Sequence, residues 1–595
     1  MKKKILICLC LVLLISACNP EIVPSSTVTP TSGLPTPMID VAPAPDVEEG
    51  AQAYLEAWKA EDYEGMYALL SRLSQDAMTL EEFQKEHKDA AIALTMQNMD
   101  YAILSNMVKP SSAQVNYEIS YTTTLLGTIS RSTIMNLTLE ENVWHVQWDA
   151  SMILPELAGG NRLELTYEIP ARGNIYDEFG YPLVAQDDAV AIGIVPGKID
   201  PENEDGMVSF LANLLDVSED SIREKYAYAQ ADWYVAIGDV SAAVAQQYSD
   251  RFERYPGIVL SPFRSRYYYD GGIAPHVTGY VLSISPEELE EYQRKGYRGD
   301  EKVGAAGLEA WGESYLAGKH GASLYIKDPQ GQVVTKLASA PAEPANSIYT
   351  TIDSTLQYNL QHSMDDYLGA IVVMERDTGR VLAMVSNPPY NPNLFEPVNF
   401  NSMMLESVLN DPKLPLYNRA AQGVYPLGSV FKIITMAAAL ETGVFTPDYP
   451  YYCASTWTEL QGVTLYDWTY ERDLPASGEL TLQEGLMRSC NPWFWHIGYT
   501  LWNEGYTTAI ADVASGFGLG KKTGIEIQEF EGRLEQPTSV AENVQLAIGQ
   551  GTLQVSPLQV AAFVAAVGNG GTLYRPTVVD KIVPVSGGDP VYQFE

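Results

Sequence analysis

A single charge most restricts what this chain can fold into. Lys432 is followed by Ile433-Ile434-Thr435-Met436-Ala437-Ala438-Ala439-Leu440, an almost wholly apolar run. A helix of that composition is buried along most of its surface. Lys432 is then not a surface lysine, and a buried ammonium is costly unless polar groups receive it. Ser429 lies three residues upstream and shares a helix face with Lys432. Pro426 and Gly428 mark the helix start. There the positive end of the helix dipole favours a developing alkoxide on Ser429 and disfavours charge on Lys432. Burial lowers the lysine pKa further. A neutral lysine beside a hydroxyl can take its proton and make the serine a nucleophile. Ser-x-x-Lys alone is common by chance, and a lone copy reads as a helix cap plus a surface lysine. The apolar helix is what sets this copy apart.

A second polar cluster follows at Ser489-Cys490-Asn491. In an extended loop, residues two apart point the same way, so Ser489 and Asn491 would face a cleft while Cys490 faces the core. Asn491 followed by Pro492 also suits a helix cap and first turn. The two roles are compatible, since a cap fixes the loop. Cys490 read as a nucleophile would need an adjacent base. The nearby His496 is expected to pack on its own helix instead.

The N-terminus gives an address. Lys2, Lys3 and Lys4 precede the apolar run Ile5 to Ile15, then Ser16, Ala17 and Cys18. This is the pattern of a secretory signal, too short for a comfortable span of ~20 residues. Ile15-Ser16-Ala17-Cys18 resembles a bacterial lipobox, which implies cleavage before Cys18 and lipid attachment to its sulfur. The alternative is an uncleaved signal anchor. Both place the remainder outside the cytoplasmic membrane. The 37 basic and 75 acidic residues give a net charge of −38. That balance argues against nucleic-acid binding and against broad adhesion to anionic lipid; its simplest use is solubility. Of the five cysteines, only Cys453 and Cys490 lie in the folded part. Sequence cannot set their distance, so their pairing stays open.

A chain of 595 residues exceeds one core and suggests about three to five domains. Asn19 to Asp46, rich in Pro, Ser and Thr, reads as an extended stalk. From Val47 to Leu157 helices precede strands: Ala51, Tyr54, Leu55, Trp58 and Tyr67 recur at helical spacing across Ala51 to Leu70. Gln114 to Ile119 and Trp144 to Trp148 then alternate like strands. A curved sheet packed on helices is expected. Gly369 to Glu375 and Arg380 to Ser386 flank the turn Asp377-Thr378-Gly379 and predict a β-hairpin.

Further motifs carry a resemblance. Pro170-Ala171-Arg172-Gly173-Asn174-Ile175-Tyr176-Asp177, Ala274-Pro275-His276-Val277-Thr278-Gly279-Tyr280-Val281 and Gly307-Leu308-Glu309 resemble motifs of the dimerisation, or pedestal, domain of class B penicillin-binding proteins. Pro275 is an insertion against that pattern. These segments are expected to be architectural, with Arg172 in an internal ion pair. Thr351-Ile352-Asp353, Leu356-Gln357, the hairpin, Asn418-Arg419-Ala420, Tyr425-Pro426 and Gly549-Gln550-Gly551 with Ser556-Pro557-Leu558-Gln559 are similar to the family's transpeptidase domain. Residues 47–157 resemble, more diffusely, the N-terminal domain of the methicillin-resistance type.

The resemblance implies a multidomain α+β protein. Its parts are a signal peptide (1–18), a linker (19–46), a cone-shaped α+β domain like nuclear transport factor (47–157), a β-rich pedestal (161–340) and a β-lactamase-like α/β transpeptidase domain (348–595). It further implies a peptidoglycan D,D-transpeptidase, with Ser429 as nucleophile, Lys432 as base, Ser489 as proton relay and Asn491 holding the substrate amide and the lysine. Expected partners are stem peptides ending in D-Ala-D-Ala, β-lactams, the membrane and a glycosyltransferase; no metal or organic cofactor and no nucleic acid are implied. The family's third motif, Lys-Thr/Ser-Gly, should follow the Val560 to Val567 helix and supply an oxyanion-hole donor; no such string follows. Lys522-Thr523-Gly524 precedes Gly549-Gln550-Gly551 and is expected to be a loop, not the catalytic strand. The transpeptidase domain is therefore expected to be cut short, lacking its last three strands and closing helix, with a hairpin edge left open and activity in doubt for the chain as it stands. Rival readings are a β-lactam sensor or class D-like β-lactamase, and an inactive cell-wall scaffold.

Overall fold

Tyr54, Leu55 and Trp58 lie on the buried face of the first helix, Val47–Lys59. The computed structural model describes residues 45–594 apart from 216–217, 232, 365–366 and 396–401. Cys18, the signal and the stalk lie outside the described residues. The helical stretch expected as far as Leu70 is broken after Lys59. Glu61 turns left-handed at φ 54°, and Asp62 accepts the Gly65 N–H at 2.9 Å to start a new helix, Tyr63–Ala68. After a short helix at Arg72–Ala77, a fourth, Leu80–Ala93, opens with a capping box between Thr79 and Glu82. These helices pack on a four-stranded antiparallel meander: Met96–Val108, Ser112–Thr123, Gly127–Glu140 and Val143–Gln147. Alternation in the second strand sends Val115, Tyr117, Ile119 and Tyr121 inward. The Tyr117 and Tyr121 hydroxyls donate to the Met152 and Ile153 carbonyls at 2.9 and 2.8 Å, so their burial leaves no donor unpaired. Leu324 and Ile326 of the Gly321–Lys327 strand join the same core.

The middle of the chain is built on two larger sheets and a small ribbon of Val281–Ser283 with Lys302–Gly304. Gly321–Lys327 pairs with both Arg162–Glu168 and Val333–Ala340. A seven-stranded sheet runs Tyr592–Gln593, Val579–Pro584, Asn346–Thr350, Ile175–Tyr176, Pro182–Ile194 and Val235–Ser241, with Ile258–Tyr268 also on Pro182–Ile194. This sheet ties the central part of the chain to its end. Under it sits Glu309, with no exposed surface, bridging Arg172 at 2.7 Å and Arg266 at 2.7 Å. Arg172 also reaches Glu313 at 2.7 Å. Arg172 is thus in the internal ion pair expected of it. Gly279 and Gly307, from two separate motifs, touch: a Cβ on Gly307 would lie 2.6 Å from the Gly279 nitrogen. Both have positive φ, 77° and 56°, so two requirements select glycine at each.

The predicted hairpin forms from Gly369–Met374 and Val381–Asn387. The helices Ser354–Ser363 and Pro557–Gly568 pack against it. Beside it lies a helical lobe whose core holds Phe431, Ile434, Trp493, Phe494, Ile497 and Phe563. Among the described residues no helix is long and apolar enough to cross a membrane.

Candidate active site

The nucleophile candidate sits on a tight turn braced from behind. Gly428–Phe431 is a 3-10 turn that leads into the helix Lys432–Glu441. Ser429 therefore lies one turn before the α-helix proper. The Gly428 N–H donates to the Gly549 carbonyl at 3.0 Å. A Cβ on Gly549 would sit 2.3 Å from the Gly428 oxygen, and its φ is +71°. Gly549-Gln550-Gly551 thus braces the Ser429 turn, a role the sequence did not show. Tyr425 and Val555 exchange backbone hydrogen bonds just ahead of it. Upstream, Asn418 Oδ1 accepts the Ala420 and Ala421 N–H groups at 3.0 and 3.2 Å.

Ser429 is exposed, while Lys432 has no exposed surface. The apolar helix has carried the lysine inward, as its composition requires. Lys432 Nζ contacts Asn491 Oδ1 at 2.6 Å, the Ser489 carbonyl at 2.9 Å and Ser489 Oγ at 3.1 Å. Ser489 Oγ lies 3.1 Å from Ser429 Oγ. All four residues read from the sequence are brought together. Burial pushes the Lys432 pKa down from 10.5 to about 8, against the pull of the Asp467 carboxylate.

With its ammonium charged, Lys432 donates to all three of these oxygens, and the Ser489 hydroxyl donates onward to Ser429 Oγ. A neutral amine has two N–H donors and one lone pair. Asn491 Oδ1 and the Ser489 carbonyl can only accept, so they take the two donors. The lone pair is left for Ser489 Oγ. Deprotonation of Lys432 thus lets the two contacts reverse: Ser489 gives its proton to Lys432 and receives one from Ser429.

The local backbone differs from the extended loop expected. Ser489 is left-handed at φ 53°, and the cap of the helix Asn491–Asn503 is Cys490, not Asn491. Asn491 and Pro492 form its first turn. Alternation therefore comes from a left-handed residue followed by a cap. Cys490 faces the core and is disulfide-bonded to Cys453. The Asn491 N–H, an orphan donor of the first turn, is taken by Asp467 Oδ1 at 3.0 Å. Asp467 has no exposed surface and accepts the Thr469 hydroxyl at 2.8 Å through Oδ2. Asp467 was not legible as a site residue; its one signal was the short Asp-x-Thr turn.

His496 stays on its own helix, as expected, paired to Glu459 at 2.7 Å and stacked on Tyr451. Lys522-Thr523-Gly524 forms no strand. Its Thr523 and Gly524 N–H groups are bound by Glu529 at 2.9 and 2.8 Å, so they are not free for an oxyanion. Among the described residues no cluster of three or more His, Cys, Asp or Glu side chains is placed to hold a metal.

The disulfide closes a separation of 37 residues. By loop entropy it contributes about 3–4 kcal/mol. Cys453→Ser is expected to lower the urea midpoint accordingly and to weaken acylation, because the bond holds the residue between Ser489 and Asn491. Urea titration with and without reductant checks this.

Three family profiles match in order: the NTF2-like N-terminal transpeptidase domain over residues 46–161, the penicillin-binding protein dimerisation domain over 167–350 and the penicillin-binding protein transpeptidase domain over 369–593. The peptidoglycan D,D-transpeptidase MrdA of Salmonella typhimurium is 30% identical over 441 residues, spanning 70% of this chain and 68% of its own length. Penicillin-binding protein 3 of Bacillus subtilis is 26% identical over 560 residues, or 90% and 80% of the two chains. A solved peptidoglycan synthase complex, described for coordination of polymerization and crosslinking, has a chain 27% identical with a TM-score of 0.53, covering 75% of this chain and 78% of that one. Penicillin-binding protein PBP2 of Helicobacter pylori, solved with MreC, shares the fold at a TM-score of 0.54 and 24% identity, over 70% of this chain and 79% of its own. With its three parts matched in order around a serine–lysine cleft, this chain belongs to the class B penicillin-binding proteins.

Proposed function

We propose that the protein is a serine D,D-transpeptidase that cross-links peptidoglycan stem peptides. Ser429 attacks the carbonyl of the penultimate D-Ala. Its proton passes through Ser489 to Lys432, and the terminal D-Ala leaves with a proton returned along the same path. The amine of a neighbouring stem then attacks the acyl-enzyme, gives up a proton to the relay and frees Ser429. Asn491 holds Lys432 and offers its side-chain amide to the substrate backbone. The observation that carries this reading is the Lys432 contact set: of its three oxygen partners only Ser489 Oγ can donate as well as accept, and that oxygen also lies 3.1 Å from Ser429 Oγ. β-Lactams, as mimics of D-Ala-D-Ala, acylate the same serine.

The same reading divides the chain at 47–157, 161–340 and 348–595, and anchors it outside the cytoplasmic membrane through a lipid on Cys18 or an uncleaved signal. A glycosyltransferase that supplies uncross-linked strands is the expected partner, in line with the polymerization and crosslinking described for the solved synthase complex. The test is incubation with a stem pentapeptide and an amine acceptor. D-Ala release with a cross-linked product, both absent in Ser429→Ala, is expected. Rapid catalytic turnover of penicillin without cross-linking would favour a β-lactamase instead.

A further inference from the structure

We infer that Asp467 is a positioning residue for acylation at Ser429: its buried carboxylate pins the Ser489–Asn491 turn against Lys432 and supplies a negative charge that acts on Lys432. This inference rests on the proposed serine–lysine chemistry but extends it to a residue outside the three motifs of the family.

The geometry is a short chain of contacts. Asp467 Oδ1 accepts the Asn491 N–H at 3.0 Å. The Asn491 side chain in turn accepts from Lys432 Nζ at 2.6 Å. Asp467 Oδ2 is held by the Thr469 hydroxyl at 2.8 Å and the Thr469 N–H at 3.3 Å. Its own N–H donates to the Ser455 carbonyl at 3.0 Å. The carboxylate is thus fixed from both sides and shielded from water.

Among the described residues, the groups in direct contact with Lys432 Nζ carry no charge. From the turn come Ser489 and Asn491, and from the Asn491–Asn503 helix the Phe494 ring, 5.4 Å from Nζ. Cys490 behind the turn is in a disulfide and does not titrate. Asp467, tied to the same turn through the Asn491 N–H, raises the lysine pKa against the larger effect of burial. Lys432 gains a proton as Ser429 attacks, so a fixed negative charge is worth more in the transition state than before it. A neutral residue 467 should therefore do two separable things. It should make Lys432 easier to deprotonate, and it should weaken Lys432 as a base.

The test uses the full chain with [ε-13C]lysine and compares it with Asp467→Asn, which keeps an oxygen for the Asn491 N–H but drops the charge. The Lys432 resonance is assigned by its loss in Lys432→Met. Its titration midpoint, near 8 in the parent, is expected to fall by about one pH unit in Asp467→Asn. The acid limb of the acylation rate by a fluorescent penicillin should move down with it, while the plateau rate falls roughly three- to ten-fold. Asp467→Glu, which restores the charge, should bring the midpoint back up. If Asp467→Asn does not fold, Asp467→Ser makes the same charge change. A midpoint that stays put or rises in the neutral variant overturns the inference, because a merely structural residue would slow acylation without moving it. If the parent is not acylated, the serine–lysine reaction itself fails, and the NMR midpoint still decides the role of Asp467.

Discussion

Lys432→Met is expected to abolish acylation of Ser429 and, at the same time, to raise the stability of the protein. Removing a general base costs about 10²–10⁴-fold in rate, and here the base is the end of the only relay that reaches Ser429 among the described contacts. The stability effect follows from the pKa. Burial lowers Lys432 from 10.5 to about 8. The folded state thus binds the proton less well than the unfolded state. Between about pH 8 and 10.5 the unfolded chain carries the extra proton, so this group adds stability as pH rises through that window. Below pH 8 the full cost of the buried ammonium is borne, with an upper bound of about 3 kcal/mol. Methionine has similar volume and no charge. The loss of contacts to Asn491 and Ser489 offsets part of the gain, leaving about 1–2 kcal/mol. Thermal melts at pH 7 and pH 10 check both signs: the variant should melt higher at pH 7, and the difference should shrink at pH 10. Stability gained where activity is lost is the usual relation at an active site.

The second large effect lies far from the chemistry. Glu309→Gln is expected to destabilise the protein by about 3–5 kcal/mol, because it removes a carboxylate that two guanidiniums share in the interior. Burial pushes the Glu309 pKa up, but Arg266 and Arg172 more than offset it and hold the carboxyl below the ordinary range. Burial likewise works against charge on Arg172, and Glu309 and Glu313 overcome it. With the folded pKa depressed, the stabilisation is present above the unfolded carboxyl value and is lost as pH falls through the folded one. The parent should therefore lose stability steeply in acid, and Glu309→Gln should show a flatter acid limb from a lower plateau. Chemical denaturation from pH 3 to pH 7 measures this. The acylation chemistry of whatever folded variant remains should be little changed.

What the sequence revealed and what it hid divide along contact range. Ser429 and Lys432 were legible because three residues on a helix share a face and the apolar run that follows forces burial. The hairpin from Gly369 to Asn387 was legible because its turn and its two apolar runs are contiguous. Arg172 could be assigned to an ion pair from its family motif, yet its partner Glu309 lies 137 residues away and carries no local sign of it. Asp467 and the Gly549 brace were hidden for the same reason: each acts through one long-range hydrogen bond to a backbone N–H. The backbone at Ser489 was misjudged because a left-handed residue before a cap mimics, in its side-chain directions, the alternation of a strand. The first helix was overextended because Asp62 reads as one polar position in a periodic stretch, whereas its carboxylate starts a new helix.

The most direct measurement is peptide mapping of the purified chain after reaction with a fluorescent penicillin, beside Ser429→Ala. One adduct is expected, on the peptide that holds Ser429, lost entirely in the variant. An adduct on any other residue, or one that survives Ser429→Ala, would contradict it.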